Sequence, residues 1–239
     1  MFYNIYNMFN LLKDNLIKSE IQIEDKKINT LVDFFHFLVE FNAHTNLTRI
    51  TSEEDAVKKH FTDSLFGARF IPKNSKVCDI GSGGGFPSIP LSVYCEDSSF
   101  TLVDSTGKKV DFLNSAIEKL GINNARAIQG RAEEMGQDAK FRERFDVVTA
   151  RAVASLPTLL EYCLPFVKVG GLFLAYKTSG EELEESKNAL KVLGGKIKDC
   201  FSYSLGDKGE SRTIFVIEKI ASTPPKYPRG QGKPRSKPL

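Results

Sequence analysis

The sequence predicts an α/β fold with a mostly parallel β-sheet, preceded by a group of helices. From Lys76 onward, short apolar runs alternate with helical stretches, which is the pattern of consecutive βαβ units. Before Lys76, apolar residues recur every three or four positions, which indicates amphipathic helices. The 239-residue chain is 41% hydrophobic and 26% charged, so it holds enough apolar material for one sizeable core.

The helices at the start are expected to form a cap over residues 1–72. Two runs have helical spacing, namely Phe2, Ile5, Phe9, Leu12 and Leu16, then Ile28, Leu31, Phe35, Leu38 and Phe41. Residues 42–50 break this pattern. Thr51 or Ser52 is then followed by three acidic residues, which is typical of a helix start because acids are favoured at the positive end of the helix dipole. This third helix is predicted to end near Phe70.

Seven strands are expected in residues 73–220, the predicted core domain. They lie near Lys76–Ile80, Phe100–Asp104, Ala125–Gln129, Asp146–Ala150, Gly171–Lys177, Lys198–Ser204 and Arg212–Lys219. Helical stretches between the first five suit right-handed crossovers between parallel strands. A short glycine-containing segment separates the last two strands, which favours an antiparallel pair.

Positive charge is concentrated at the C-terminus. The net charge is only +3, yet residues 221–239 carry five of the ten prolines, five basic residues and no acidic residue. The basic residues are Lys226, Arg229, Lys233, Arg235 and Lys237. Because this segment has no apolar periodicity, we expect an extended, basic, Pro-rich arm.

The cysteines and the apolar segments bear on where the protein acts. Cys78, Cys95, Cys163 and Cys200 are far apart and form no CxxC pair, which argues against a zinc site and a disulfide framework. No segment has the length and apolarity of a membrane span, and the start lacks the features of a signal peptide. We therefore expect a cytoplasmic protein with no metal and no membrane partner. We also expect a monomer, although none of these observations bears on the oligomeric state.

A glycine-rich segment, Asp79-Ile80-Gly81-Ser82-Gly83-Gly84-Gly85-Phe86-Pro87, directly follows the first predicted strand. Such a loop lets a nucleotide-like ligand approach the backbone. The dinucleotide fingerprint needs glycine where this chain has Phe86, and the Gly-Lys-Ser/Thr of a phosphate-binding loop is missing. The pattern resembles the first motif of class I methyltransferases, in which the acid, Asp79, braces the loop and the glycines, Gly81, Gly83 and Gly85, admit S-adenosylmethionine. A glycine-rich turn that serves packing alone is the alternative.

Asp104 ends the second predicted strand, about 25 residues beyond Asp79. An acidic side chain at this position can accept hydrogen bonds from both hydroxyls of a ribose. NAD-binding folds share this feature, so it indicates an adenosine-containing ligand without choosing between cofactors. An aspartate that caps the next helix is the alternative.

Several segments together resemble one family, the bacterial small-subunit rRNA guanine-N7 methyltransferases known as RsmG or GidB. The segments, which keep the family's order over nearly the whole chain, are Asn46-Leu47-Thr48, Lys59-His60-Phe61-Thr62-Asp63-Ser64-Leu65, the glycine-rich segment, Val103-Asp104-Ser105, Lys108-Lys109, Gly130-Arg131-Ala132-Glu133-Glu134, Ala150-Arg151-Ala152-Val153-Ala154 and Tyr227-Pro228-Arg229. This ordered set is far more specific than the glycine loop alone. Gly84 and Gly107 stand at positions that vary in the family.

The resemblance implies a class I, Rossmann-like methyltransferase fold with S-adenosylmethionine as cofactor. The implied cofactor contacts are Gly81 and Phe86 in the loop, Asp104, Ser105 and Thr106 after the second strand, Ala132 and Glu133 after the third, and Arg151 after the fourth. Phe86 would close over the ligand, while Ala132 and Glu133 would meet the adenine edge. Arg151 could pair with the cofactor's carboxylate or with an RNA phosphate.

The resemblance also implies the reaction, methylation of N7 of a guanine in 16S rRNA (guanine 527, in the 530 loop). The implied partner is 16S rRNA or a precursor of the small ribosomal subunit. N7 has an in-plane lone pair and no proton, so its attack on the sulfonium methyl needs orientation rather than a general base. No catalytic residue is therefore assigned, apart from a contribution by Arg151. A splayed-out base is expected, because the deep groove of duplex RNA hides N7.

Basic residues near the predicted site are candidates for RNA contacts. They are Lys108, Lys109 and Arg131 at the ends of strands, and Arg229 in the C-terminal segment. His60 either orients RNA, seals the cofactor pocket or, as we favour, belongs to an interhelical hydrogen-bonded cluster that joins the cap to the sheet. Cys163 is expected to be a small buried hydrophobe.

Three other functions compete with this interpretation. A small-molecule methyltransferase would leave the basic C-terminal segment without a purpose. A nicotinamide-dependent oxidoreductase is disfavoured by Phe86, which replaces the third glycine of its fingerprint. A non-enzymatic RNA-binding module would not need to retain Gly81, Gly83, Asp104 and Arg151 together.

Overall fold

The computed structural model describes residues 5–151, 154–178, 182–206 and 210–239. Its α-helices are α1 (Ile5–Lys18), α2 (Asp25–Thr45), α3 (Glu53–Ala56), α4 (Asp63–Leu65), α5 (Ser88–Tyr94), α6 (Gly107–Lys119), α7 (Ala132–Met135), α8 (Leu156–Cys163), α9 (Leu183–Leu193) and α10 (Lys233–Ser236). Its strands are β1 (Lys76–Ile80), β2 (Ser99–Asp104), β3 (Ala125–Gln129), β4 (Phe145–Arg151), β5 (Val167–Lys177), β6 (Gly195–Ser204) and β7 (Ser211–Lys219).

The seven strands form one sheet in the order β3-β2-β1-β4-β5-β7-β6. The first five run parallel, and β7 pairs antiparallel with both β5 and β6. The predicted mostly parallel sheet and its antiparallel last pair are confirmed. Because the strand order reverses between β1 and β4, a crevice opens at the carboxyl ends of these strands, where open α/β sheets bind ligands.

The central strands of the sheet are buried on both faces, and neighbouring residues in these strands alternate between two apolar clusters. Val77 and Val147 face the cap and helices α5 and α6, whereas Cys78 and Val148 face α8, α9 and the C-terminal segment. Strands covered on both sides read as nearly continuous apolar runs, which is why the sequence reveals them so clearly. Cys163 is fully buried in the second cluster, as expected.

The cap is built from α1, α2 and a helical segment that runs from Glu53 to Phe70. The predicted start and end of this third helix are confirmed, with Ser52 accepting a hydrogen bond from the Asp55 backbone N–H at 3.3 Å. Its middle, Val57–Thr62, is a π-helical turn, which the sequence pattern does not reveal. The Thr62 hydroxyl lies 2.8 Å from the Val57 carbonyl oxygen and 2.7 Å from the amide oxygen of Asn15 in α1, and these two acceptors share its single proton. Such turns are frequent at functional sites, and this one carries His60.

The C-terminal segment, residues 221–239, packs against the body instead of extending away from it. Arg142 donates to the carbonyls of Thr223 and Tyr227, at 2.7 and 2.8 Å. Tyr227 is buried in the second apolar cluster. The segment differs from the expected extended arm because polar side chains of the body satisfy its backbone carbonyls, and no apolar periodicity is needed for that.

Arg229, a predicted RNA contact, lies in this docked segment and is paired with Glu161. The Glu161 side chain is completely buried, and it accepts from the Arg229 backbone N–H and from two guanidinium nitrogens at 2.7–2.9 Å. The guanidinium also donates to the Lys237 carbonyl at 2.8 Å. The charge of Arg229 is therefore balanced by Glu161 within the protein, and the ion pair has a structural role.

Two further findings concern the described part of the chain. None of its helices combines the length and apolarity that crossing a membrane requires. Within the same residues, no cluster of three or more His, Cys, Asp or Glu side chains is arranged to hold a metal ion.

Replacing Arg229 with alanine should lower the free energy of unfolding by about 3 kcal/mol, because Glu161 would remain buried without its partner. Urea denaturation of the protein without RNA measures this. Lys237→Ala, which removes an exposed charge from the same segment and keeps the backbone carbonyl, is the matched control and should change stability little. Equal stabilities of the two variants would show that the ion pair does not hold the segment.

Candidate active site

The glycine-rich segment forms the loop between β1 and α5, and three of its glycines are conformational requirements. Gly81, Gly83 and Gly85 have φ angles of 77°, 53° and 92°, a region that residues with a Cβ rarely adopt. Gly84 does not need it, and a Cβ there would have its nearest neighbour, the Leu47 carbonyl, at 3.5 Å. The D-x-G-x-G-x-G spacing thus arises because every second residue of the loop has a positive φ angle. Gly84 lies between two such positions, where the backbone does not require glycine.

The loop glycines also differ in what they face. A Cβ on Gly85 would lie 2.8 Å from Ile89 and 3.0 Å from Phe34, so this glycine allows the loop to pack against helices. A Cβ on Gly83 would meet only the Gly81 carbonyl, at 3.8 Å, so its Cα faces open space. The loop therefore serves packing at one glycine and leaves room for a ligand at another.

Asp104 joins this loop to the turn after β2. Its two carboxylate oxygens accept from the backbone N–H groups of Gly83 at 3.0 Å and Thr106 at 2.9 Å, and Lys109 lies 3.9 Å away. Thr106 is the residue that precedes α6, so Asp104 also supports a helix start, as the alternative interpretation expected. A carboxylate has about four acceptor sites, so capacity remains for the hydroxyls of a ribose.

A cavity of about 190 Å³ opens at the carboxyl ends of β1, β2 and β3, and we call it the nucleoside cavity. Its walls are Ile80, Gly81, Val103, Asp104, Ser105, Gly130, Arg131, Ala132, Glu133, Tyr162 and Arg235. The predicted contacts Gly81, Asp104, Ser105, Ala132 and Glu133 are thus brought together. Tyr162 and Arg235 line the same cavity, although neither is among the cofactor contacts predicted from the sequence.

Asp79 lies at the end of β1 and is 1% exposed. One carboxylate oxygen accepts from the Thr149 hydroxyl at 2.7 Å, whereas no described residue provides a hydrogen-bond partner for Oδ2. Burial raises the pKa of Asp79 to about 6, although hydrogen bonds from Thr149 and Ser82 oppose the shift. An unpartnered buried acceptor next to the loop suits a positively charged ligand, and S-adenosylmethionine carries an ammonium and a sulfonium group.

Phe86 packs into the cap, although it was predicted to close over the cofactor. Its ring stacks on His60 with a centroid distance of 4.1 Å and lies 5.4 Å from Phe34. The His60 Nε2 and the Thr48 hydroxyl are 2.9 Å apart. Burial, reinforced by the charge of Arg151, lowers the pKa of His60 to about 3, so the ring is neutral at physiological pH. These contacts match the interhelical cluster that we favoured for His60.

Arg151, at the end of β4, points its guanidinium toward the cap. It donates to the Asp63 carboxylate and the Lys59 carbonyl at 2.8 and 2.9 Å, and lies 3.2 Å from His60 Nδ1. Asp63 also accepts from the Tyr203 hydroxyl at 2.7 Å. Arg151 is therefore held by a buried carboxylate at the crevice. The residues after it in the Ala150–Ala154 segment, Ala152 and Val153, lie outside the described residues.

A second cavity, of about 290 Å³, lies beside Arg151, and we call it the basic cavity. It is lined by Ile50, Lys59, His60, Asp63, Arg151, Tyr176, Lys177, Thr178 and Arg212. Four of these side chains are cationic. Sequence reasoning missed Lys177 and Arg212, which come from β5 and β7, because nothing in the local pattern separates them from ordinary strand residues. Lys59 and Asp63 belong to the Lys59–Leu65 segment, which resembles the family. The sequence therefore draws attention to them but does not indicate what they do.

The remaining predicted residues lie at the rim. Lys108, Arg131 and the side chain of Thr106 are exposed, and Lys109 is half-buried beside Asp104. Lys108 and Lys109 belong to the first turn of α6, and Arg131 directly precedes α7. Their use as RNA contacts stays a prediction.

Solved structures share the fold of this chain. The precorrin-6y C5,15-methyltransferase from Geobacter metallireducens matches with a TM-score of 0.51 and 15% identity, over 73% of this chain and 92% of that one. The TYW2 protein of M. jannaschii in complex with AdoMet matches with a TM-score of 0.53 and 16% identity, over 72% and 80% of the two chains. The fold, together with the family assignment that follows, defines an S-adenosylmethionine-dependent methyltransferase with a Rossmann-like, class I fold.

The chain belongs to the GidB family, described as rRNA small subunit methyltransferase G, whose family model matches residues 27–210. The "Ribosomal RNA small subunit methyltransferase G" of Lactobacillus delbrueckii subsp. bulgaricus is 43% identical to it over 235 residues, which is 96% of this chain and 98% of the relative. The family predicted from the sequence is thereby confirmed.

Gly83→Val should abolish binding of S-adenosylhomocysteine, because a branched side chain would be strained at a φ of 53° and would fill the open side of the loop. Isothermal titration calorimetry measures the loss. Gly84→Ala is the control from the same loop and should bind normally, since its Cβ would make only ordinary contacts. Normal binding by the Gly83 variant would mean that the ligand lies elsewhere.

The affinity for S-adenosylhomocysteine should fall as pH is lowered through about 6, because the Asp79 carboxyl, whose pKa is raised to about 6, is charged only above that value. The ligand's ammonium stays protonated over this range, so the loss would come from the protein. Titrations at pH 5 and pH 7.5 measure it. Asp79→Asn should bind more weakly at pH 7.5 and lose the pH dependence; an unchanged dependence in this variant would exclude Asp79 as its source.

Proposed function

We propose that this protein transfers the methyl group of S-adenosylmethionine to N7 of a guanine in 16S rRNA, guanine 527 of the 530 loop. The family resemblance supports the nucleotide and the atom, and the relatives' names support ribosomal RNA of the small subunit as substrate. We further propose that it acts in the cytoplasm as a monomer, on rRNA or on a precursor of the small subunit.

The observation that carries the proposal is that one loop separates the two cavities. Gly81 lines the nucleoside cavity, while Phe86, five residues later, packs against His60 of the basic cavity. The Arg151 guanidinium lies 5.2 Å from the Phe86 ring. A cofactor that binds with its adenosine in the first cavity and follows the loop would direct its methyl group toward the second.

The basic cavity offers the groups that a guanine base needs. Lysine and arginine can donate to O6 of guanine, and such a contact holds the base while it leaves the N7 lone pair free to attack the methyl group. Lys177 and Arg212 are only 12% and 15% exposed, and ion pairs with Glu182 and Glu210, at 2.8 and 2.5 Å, hold them in place. Contacts of this kind are strongest when water is excluded.

For this reaction the protein must orient the guanine and the cofactor, but it need not transfer a proton. The cofactor, when bound, supplies an electrophilic methyl group, and N7 attacks with a lone pair that needs no deprotonation. His60, the imidazole nearest to Arg151, has its pKa lowered to about 3 and is not suited to take up a proton at neutral pH. Holding the base in line is worth up to about 7–11 kcal/mol, and this is the role that the basic cavity can perform.

A small-molecule methyltransferase remains the second candidate. The basic cavity is lined by half-buried cations, whereas an enzyme for a small apolar substrate would more often enclose its substrate among apolar walls. Charged walls at a site that must meet a polyanion are expected for an RNA substrate.

Incubation with unmodified small-subunit rRNA and labelled S-adenosylmethionine should place one methyl group on the 530-loop guanine, which chemical strand scission at N7-methylguanine maps to the nucleotide. Naked rRNA and assembled subunits should be compared, because the base must be accessible. Gly83→Val should be inactive and Gly84→Ala active. Label in another base, or none in RNA while the cofactor binds, would overturn the proposal.

A further inference from the structure

The C-terminal segment, residues 221–239, supplies part of the wall of the nucleoside cavity. Helix α10 brings Arg235 to this cavity, where it stands with Tyr162 of α8 and Glu133 of α7. We propose that Arg235 contacts the adenosine part of bound S-adenosylmethionine, so that this segment sets the affinity for the cofactor. The inference depends on the proposed use of the cavity.

Arg235 is held at the cavity by a well-anchored backbone. The Thr158 hydroxyl of α8 donates to the carbonyl of Pro234, the residue before Arg235, at 3.0 Å, and Pro234 is buried. On the other side, the Arg229 guanidinium donates to the Lys237 carbonyl at 2.8 Å. Arg235 therefore lies between two fixed points, one on α8 and one on the Arg229–Glu161 ion pair.

The same segment is also tied to the end of α7. The Gln137 side chain donates to the carbonyls of Pro225 and Pro228 at 3.0 and 3.1 Å. A Cβ on Gly136 would lie 2.9 Å from the Pro228 ring, so the segment approaches this turn as closely as glycine permits. Since α7 begins with Ala132 and Glu133, the segment joins two walls of the cavity, α7 and α8.

The chemistry of this wall suits adenine. Arg235 and Arg131 face Tyr162 and Glu133, and their positive charge opposes the effect of burial and of Glu133, which raise the pKa of the Tyr162 hydroxyl. A guanidinium is planar and stacks on aromatic rings, or donates to ring nitrogens. Asp79, which suits the cationic amino-acid end of the cofactor, lies on β1 and does not line this cavity. Arg235 is thus placed for the nucleoside end.

Titration calorimetry with S-adenosylhomocysteine and 5′-methylthioadenosine tests this assignment, because the second ligand lacks the amino-acid part. Arg235→Ala should weaken both ligands by the same factor, about 2- to 30-fold, the range of a cation–π contact. Arg235→Lys keeps the positive charge but loses the planar guanidinium. Its affinity for both ligands should lie between those of the parent protein and of Arg235→Ala. Lys233→Ala, from the same short helix, is the matched control and should bind like the parent protein.

The outcomes separate this inference from the proposed function. Unchanged binding of both ligands by Arg235→Ala would overturn the inference, and so would a loss confined to S-adenosylhomocysteine, which would place Arg235 at the amino-acid end. A variant that binds both ligands normally and RNA poorly would make Arg235 an RNA contact, which also overturns it. If the parent protein binds neither ligand, the proposed function itself fails. Thermal unfolding of each variant checks that the fold is intact.

Discussion

The geometry of the site depends on one carboxylate, that of Asp104. It binds the backbone N–H of Gly83 in the loop after β1 and that of Thr106 in the turn after β2. The parallel pairing of β1 and β2 brings these two turns to the same edge, and the Asp104 carboxylate then fixes the distance between them. Gly81 of the same loop lines the nucleoside cavity, and its φ of 77° disfavours any residue with a side chain there.

The cap completes the site from the other side. Its π-helical turn carries His60, which stacks on Phe86 of the loop and lies within 3.2 Å of Arg151 at the end of β4. The cap, the loop and the sheet therefore each contribute one residue to this cluster, and Asp63 of the cap neutralises the charge of Arg151. The cap thus has two roles, since it buries apolar surface of the sheet and also shapes the basic cavity.

Much of this arrangement can be predicted from sequence because it is local. Strands buried on both faces give apolar runs, and loop glycines at positive φ give the alternating pattern of Gly81, Gly83 and Gly85. The position of Asp104 at the site can be predicted because parallel pairing makes β2 end beside β1. The sequence says less about a side chain whose surroundings depend on a distant partner. Phe86 lies in the right loop, yet its ring turns into the cap because Phe34 and Phe61 offer it an apolar site.

The distribution of charge shows the same limit. The C-terminal segment has an excess of basic residues and no acids, which favours an exposed arm that binds RNA. In the folded chain, Glu161 lies 68 residues away in sequence from Arg229 and neutralises it, so the local excess overstates the available charge. The basic cavity collects Lys59, Lys177 and Arg212 from separate elements, and these cations also have carboxylate partners, Glu210 for Lys59 and Arg212 and Glu182 for Lys177. Where a chain can meet a polyanion is decided by which cations the fold leaves together at one opening, and sequence composition does not record that.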